Sequence, residues 1–129
     1  RLEKHEKNTK EIIKFLLKQK KIKEVLYPHK KNTKNYKNWK KYYSGATGLL
    51  SLVIKSKTRN SVYKFINSLE LFGIGYSWGG FESLAVYQDI QREFHKYKDK
   101  NLHIVRLHIG LEDPKDLITD IKSSLRHIK

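Results

Sequence analysis

The run His103-Ile104-Val105-Arg106-Leu107-His108-Ile109 constrains most strongly what this chain can fold into. Val105, Leu107 and Ile109 fall on one side of a period-two pattern, with Ile104, Arg106 and His108 on the other. The first face is wholly apolar and must be covered. The second carries a guanidinium in mid-strand, which is costly to bury unless an anion or another polar partner meets it. Gly110 ends the run. Asp113 then suits a helix N-cap, with Pro114 at the first helical position and Asp116 near the positive end of the helix dipole. Leu117, Ile118, Ile121, Leu125 and Ile128 follow at helical spacing. A covered strand followed at once by an amphipathic helix favours a sheet with helices laid on it.

The remaining segments agree. Ile12, Ile13, Leu16 and Leu17 form one stripe of a helix predicted over residues 2–20. Ile22, Val25 and Leu26 predict a short strand stopped by Tyr27-Pro28. Residues 29–43 read as a basic loop, with at most one helical turn around Tyr36 to Lys40. Leu49 to Lys55 is apolar at nearly every position, as in a strand buried on both faces. Thr58 suits the cap of a helix over residues 59–68, with Val62, Phe65, Ile66 and Leu69 as its buried stripe. Leu71 to Ile74 predicts a short strand, and residues 88–101 a charged surface excursion. The order is helix, strand, strand, helix, strand, strand, helix. It predicts an α+β domain with helices on one face of a small, mostly antiparallel sheet. The length of 129 residues suits one domain, and the two Asn-Thr-Lys triplets are too short to count as a repeat.

Composition narrows the function classes. There is no cysteine, so disulfides and cysteine-based zinc sites are excluded. No apolar run is long enough for a membrane-spanning helix, and the Lys-rich start lacks the apolar stretch of a secretory signal. A cytoplasmic location is the resulting expectation. The chain holds no methionine and begins with Arg1, which suggests a piece of a longer or processed chain. Net charge is +15, and residues 1–41 carry most of it, with fourteen lysines and Arg1 against four glutamates. One reading is a basic nucleic-acid or anionic-membrane module, with Tyr36, Trp39, Tyr42 and Tyr43 stacking on bases. The other is a solvated surface, with those rings anchoring a loop. Lysine outnumbers arginine 23 to 5, whereas planar recognition of phosphate and base edges favours arginine; the solvated surface is therefore preferred, with neither nucleic acid nor membrane as a partner.

Chemistry concentrates in Phe72 to Glu82, FGIGYSWGGFE. A dinucleotide-binding turn fails because Trp78 stands where the fingerprint needs glycine. Gly75-Tyr76-Ser77-Trp78-Gly79 does match a serine-hydrolase elbow, with Asp113 and His127 downstream in suitable order. Against it, Gly79-Gly80 disfavours an immediate helix, and the strands are too few for the parallel sheet that carries such an elbow. The third reading is a glycine-rich turn that presents Ser77 and Trp78 to a ligand, with Trp78 as a flat wall. Arg106 completes that reading if its planar fork holds a carboxylate. Equally, Arg106 could form a structural salt bridge with Glu82 or Glu112. His108 reads as an ordinary core or edge histidine. Glu112-Asp113 reads as a cap rather than an acid/base pair. His5, His29, His95, His103 and His127 show no metal-ligand spacing, so no metal is assigned.

The runs Leu71 to Leu84 (LFGIGYSWGGFESL) and Ile104 to Asp120 (IVRLHIGLEDPKDLITD) resemble two signatures of the trans-sulfuration enzymes, in matching order and separation. These are pyridoxal-phosphate-dependent enzymes of cysteine and methionine metabolism. Trp78 in its Tyr-Ser-Trp-Gly-Gly context resembles the cystathionine β-lyase branch, and Tyr42 to Leu49 resembles the family's entry to its first long strand. The resemblance spans the chain roughly from Arg1 to its end.

The resemblance implies the C-terminal small domain of a fold-type-I enzyme related to aspartate aminotransferase, packed beside a large cofactor-binding domain. It implies that Arg106 binds the substrate α-carboxylate and that Ser77 lies close by. Tyr76 and Trp78 would line the pocket. The implied reaction converts cystathionine to homocysteine, pyruvate and ammonia in a homotetramer built from dimers. The family's cofactor-bearing lysine, in a Ser-x-Thr-Lys context, has no match here. The only Thr-Lys pairs are Thr9-Lys10 and Thr33-Lys34, without that serine or an apolar strand before them. The phosphate-binding glycine turn and the pyridine-nitrogen aspartate also find no match. These 129 residues alone are expected to hold little cofactor and to catalyse nothing.

Overall fold

The computed structural model describes residues 1–31, 33–91 and 95–129. Its strands, β1 (Ile22–Leu26), β2 (Leu49–Lys55), β3 (Gly73–Ile74), β4 (Leu84–Gln88) and β5 (Leu102–His108), make one five-stranded sheet in the order β1-β2-β5-β4-β3. Pairing is antiparallel except between β3 and β4, which run parallel. The helices are α1 (Leu2–Leu16), α2 (Lys34–Tyr42), α3 (Arg59–Asn67) and α4 (Pro114–Ser124), the last closed by a 3₁₀ turn over Leu125–His127. The architecture is the predicted α+β, with one parallel pairing at the edge. No helix among the described residues is long and apolar enough to cross a membrane.

Register shows why the two-faced strand lies at the centre. Val105 stands opposite Leu52 of β2 and Tyr87 of β4, and Leu107 opposite Leu50 and Ala85. These residues form one continuous apolar face with Val25 and Ile54. Onto it pack Ile12 and Leu16 of α1, Val62 and Phe65 of α3, and Leu117 and Ile121 of α4, all fully buried. Each such side chain contributes about 1.5–3 kcal/mol through its removal from water. On the opposite face, Tyr97 covers Val53 and Ile104. Arg106 and His108 lie further along that outer face.

Two elements and two boundaries differ most from the sequence reading. The first helix ends at Leu16 instead of residue 20; Leu17 is 53% exposed, and the chain turns there to bring β1 against β2. The segment read as a basic loop, residues 29–43, carries α2, although Asn32 lies outside the described residues. The Thr33 hydroxyl accepts from the Tyr36 backbone N–H at 3.2 Å, the His29 ring stacks on Trp39 at 4.0 Å, and Trp39 Nε1 donates to the Gly45 carbonyl at 3.0 Å. Caps and ring contacts hold a helix that shows no apolar stripe. The strand predicted over residues 71–74 shrinks to Gly73–Ile74, with Phe72 buried and Leu71 turned outward. Finally, the sequence reading places no strand at β4. Of the excursion over residues 88–101, residues 92–94 lie outside the described set.

The cap on α3 provides a direct check. The Thr58 hydroxyl accepts from the Ser61 backbone N–H at 3.3 Å. Thr58→Ala should lower unfolding free energy by about 1 kcal/mol, read as a shifted urea midpoint at unchanged slope.

Candidate functional site

The outer face of β5 continues past the strand's end as a row spaced by two residues: Arg106, His108 and Gly110. Each meets the loop over residues 75–83, which joins β3 to β4. Arg106 stands in register between Ser51 of β2 and Val86 of β4. Its Nη2 donates to the Tyr76 carbonyl, and the guanidinium carbon lies 5.8 Å from the Tyr76 ring centroid. His108 Nε2 lies 3.2 Å from the Gly79 backbone nitrogen and 3.1 Å from the Gly80 carbonyl. Next along the row, the Gly110 N–H donates to Ser83 Oγ at 2.8 Å. The Glu112 carboxylate accepts from the Ser83 N–H and hydroxyl, both at 2.8 Å, and the Leu111 N–H donates to the Phe81 carbonyl at 2.9 Å.

Between the Arg106 and His108 clamps stand Ser77 and Trp78, neither hydrogen-bonded to another described residue. Trp78 is 59% exposed, and Tyr76 and Phe81 flank it, also exposed. The loop thus presents an exposed hydroxyl and exposed rings, and it meets the guanidinium through the Tyr76 carbonyl and ring. Gly79 makes the turn with φ +82°, in the left-handed region that glycine adopts without steric cost.

The four residues singled out from the sequence, Tyr76, Ser77, Trp78 and Arg106, therefore lie along one corner. The alternative ion pair for Arg106 does not form. Glu112 is committed to Ser83, and the ion pairs among the described residues are Lys10–Glu6 and Arg59–Asp89, with the His29 ring also beside Glu6. One of the guanidinium's five N–H donors is engaged by another described residue.

The hydrolase reading is not supported by the geometry. Ser77 sits in a loop leading to a strand, where an elbow needs a helix. His127 accepts from Arg126, Asp113 caps α4 by accepting from the Lys115 N–H at 2.8 Å, and no histidine bonds Ser77 among the described residues.

Three contributors escaped the sequence reading. His108, read as an ordinary core or edge residue, bonds the loop. Glu112, read with Asp113 as part of a cap, reaches Ser83 instead. Asn8 of α1 supports the segment that carries Glu112, donating to the Gly110 and Glu112 carbonyls at 3.1 and 3.0 Å. The two-residue spacing of Arg106, His108 and Gly110 was the available signal. Burial pushes the His108 pKa below its ordinary 6.5; nearby His5 and Arg106 act the same way, against the Gly80 carbonyl and Glu112.

A family model described as Cys/Met metabolism PLP-dependent enzyme matches residues 1–126. The cystathionine beta-lyase of Bordetella avium is 34% identical over 97% of this chain and 32% of its own length. The L-alanine/L-glutamate racemase of Wolbachia pipientis wMel is 32% identical over 99% of this chain and 32% of its own length. A Campylobacter jejuni crystal structure described as O-acetylhomoserine (thiol)-lyase, with a pyridoxyl-lysine phosphate, superposes with a TM-score of 0.81 at 30% identity, covering 98% of this chain and 29% of that one. The chain spans about a third of the length of the curated relatives it matches.

A covalent link to pyridoxal phosphate requires an amine, and the recesses at the corner offer none. The recess beside Ser77 is lined by Trp78, Gly80, Phe81, Glu82 and Leu84, and the recess on the other side of Tyr76 also lacks a lysine. Lys10, from one of the two Thr-Lys pairs, is ion-paired with Glu6 at 2.6 Å on α1. With the family model covering nearly the whole sequence, and the fold shared with a solved relative, the chain belongs to the Cys/Met metabolism family of pyridoxal-phosphate-dependent enzymes.

Proposed function

We propose that this chain is the substrate-carboxylate domain of a carbon–sulfur lyase that cleaves cystathionine to homocysteine, pyruvate and ammonia. Arg106 carries the reading: a half-buried guanidinium in mid-strand, held at one nitrogen and without an acid partner among the described residues. Its planar fork suits a carboxylate through two parallel hydrogen bonds. The bond to Tyr76 holds the side chain before a ligand arrives, so less rotamer freedom is lost on binding. Ser77 offers a hydroxyl beside that position, and Trp78 and Tyr76 offer flat walls for the rest of the amino acid.

In this reading a large domain supplies the cofactor and its lysine, and bond cleavage belongs to that half. The exposed aromatic face of Tyr76, Trp78 and Phe81 suits closure against it. A cytoplasmic homotetramer built from dimers completes the proposal.

The test uses the full-length enzyme that the proposal implies. Turnover of L,L-cystathionine is compared with that of O-acetylhomoserine plus sulfide and with racemisation of L-alanine. Release of pyruvate and homocysteine with the highest kcat/KM is the expected result. Preference for the acetylated substrate or for alanine would replace the β-lyase reading.

A further inference from the structure

We propose that His108 is a positioning residue for the substrate corner: its imidazole fixes the Gly79–Gly80 leg of the loop, so that Ser77 and Trp78 keep their place beside Arg106. The proposal rests on the reading of Arg106 as the carboxylate clamp.

That leg of the corner has little else to hold it. A Cβ built on Gly79 or Gly80 would meet nothing within 4 Å, so the Cβ side of each residue faces open space. The side-chain hydrogen bonds reaching residues 77–80, among the described residues, all come from His108. The ring itself is well seated, being 2% exposed. Its Cε1 and Nδ1 would lie 3.0 Å from a Cβ on Gly48, so backbone presses closely on that edge. The His5 ring of α1 lies 5.0 Å away, and His5 Nδ1 is bonded to the Ile109 carbonyl at 2.7 Å. Leu49 and Leu84 flank His108 in register on the two adjoining strands. The imidazole therefore acts as a wedge that transmits the position of the central strand to the loop.

Its protonation state matters because one ring nitrogen faces both a donor and an acceptor. A neutral imidazole can accept from the Gly79 N–H, or in its other tautomer donate to the Gly80 carbonyl. The imidazolium can only donate, which leaves the Gly79 N–H facing another N–H. The titratable and charged groups acting on the ring are His5 from α1, Arg106 from β5 and Glu112 from the loop beyond it. Burial leads the balance and favours the neutral form. Because the folded pKa is depressed, the stabilisation is complete above the ordinary 6.5 and is lost as pH falls from there through the folded value.

The full-length enzyme tests this with His108→Gln and His108→Leu. Glutamine offers a carbonyl and an amide N–H to the same two groups and does not titrate. Leucine offers neither. His108→Leu should raise KM roughly fivefold or more, with kcat changed much less, and should speed amide exchange in the 75–83 peptide while leaving the β2 peptide protected. His108→Gln should restore KM and exchange, and should lack the wild-type rise in KM on acidification below 6.5. The proposal is overturned if His108→Leu leaves KM unchanged, or if its exchange rises equally in β2. It is also overturned if His108→Gln keeps the wild-type acid-side rise, a readout that survives even if the leucine variant does not fold. The Arg106 reading fails separately: Arg106→Ala without effect on KM, together with loosened 75–83 exchange in His108→Leu, removes the clamp and keeps the wedge.

Discussion

Arg106→Ala in the full-length enzyme should lower kcat/KM for the amino-acid substrate roughly a hundredfold, an expected loss of about 3 kcal/mol for hydrogen bonds to a charged group. Most of the change should fall on KM, since the α-carboxylate keeps its charge and is not itself transformed, and so is held about equally in ground and transition states. Folding should suffer little. Among the described residues, the side chain's polar contacts are one hydrogen bond to the Tyr76 carbonyl, a loss of about 1 kcal/mol, and the face of the Tyr76 ring. Arg106→Lys should recover only part of the activity, because an ammonium on a flexible stem cannot fork onto both oxygens. Steady-state kinetics with the acid and with its α-carboxamide separate the roles. Wild type should discriminate strongly between them, and Arg106→Ala hardly at all. An unchanged kcat/KM in the alanine variant would leave Arg106 as a loop fastener and remove the carboxylate clamp.

Gly110→Ala should produce the other large effect, through sterics alone. A Cβ there would stand 2.2 Å from the Phe81 carbonyl oxygen and 2.7 Å from the Glu82 carbonyl carbon, both backbone atoms. It would also stand 2.4 Å from Glu112 Oε2. The carboxylate can swing away, but the backbone moves only by carrying the loop with it. That motion would strain the Leu111–Phe81 bond and the Ser83–Glu112 pair together. Overpacking of this kind costs about 1–3 kcal/mol, and here the cost should sit at the upper end because two backbone positions are struck. Urea unfolding should show the loss, and KM should rise as the corner moves. Gly80→Ala is the control, since its Cβ would meet nothing within 4 Å. Equal stability of the two variants would mean that the loop yields freely and that β5 does not hold the corner.

Legibility in the sequence followed the range of the forces involved. Thr58 and Asp113 were readable as caps because a cap involves atoms three residues apart or fewer. The stripes of α3 and α4 and the alternation of β5 were readable because helical and strand periods are local geometry. β4 escaped because its apolar run, Leu84 to Tyr87, is short and bounded by no clear turn signal on its far side, whereas β2 spans seven residues between a glycine turn and a helix cap. α2 escaped for the opposite reason: its Lys-rich sequence has no apolar stripe, and His29 and Gly45, outside the helix, help to hold it. At the site, Ser77, Trp78 and Arg106 could be named from residue type and Tyr76 from the family resemblance, whereas His108, Glu112 and Asn8 could not. Their partners lie 29 residues away for His108 and Glu112, and more than a hundred for Asn8.

By itself the sequence determined that one strand has a covered face and an outer face bearing a guanidinium, and that amphipathic helices supply the cover. It also carried the motifs that resemble the family. Only the tertiary structure decided that Arg106 meets the Tyr76 carbonyl in place of an acid, and that His108 and Gly110 hold the next stretches of the same loop. The reason is physical. Those contacts exist only once β4 has paired with β5, and that pairing depends on the sheet's shared apolar face, which forms from segments scattered along the chain.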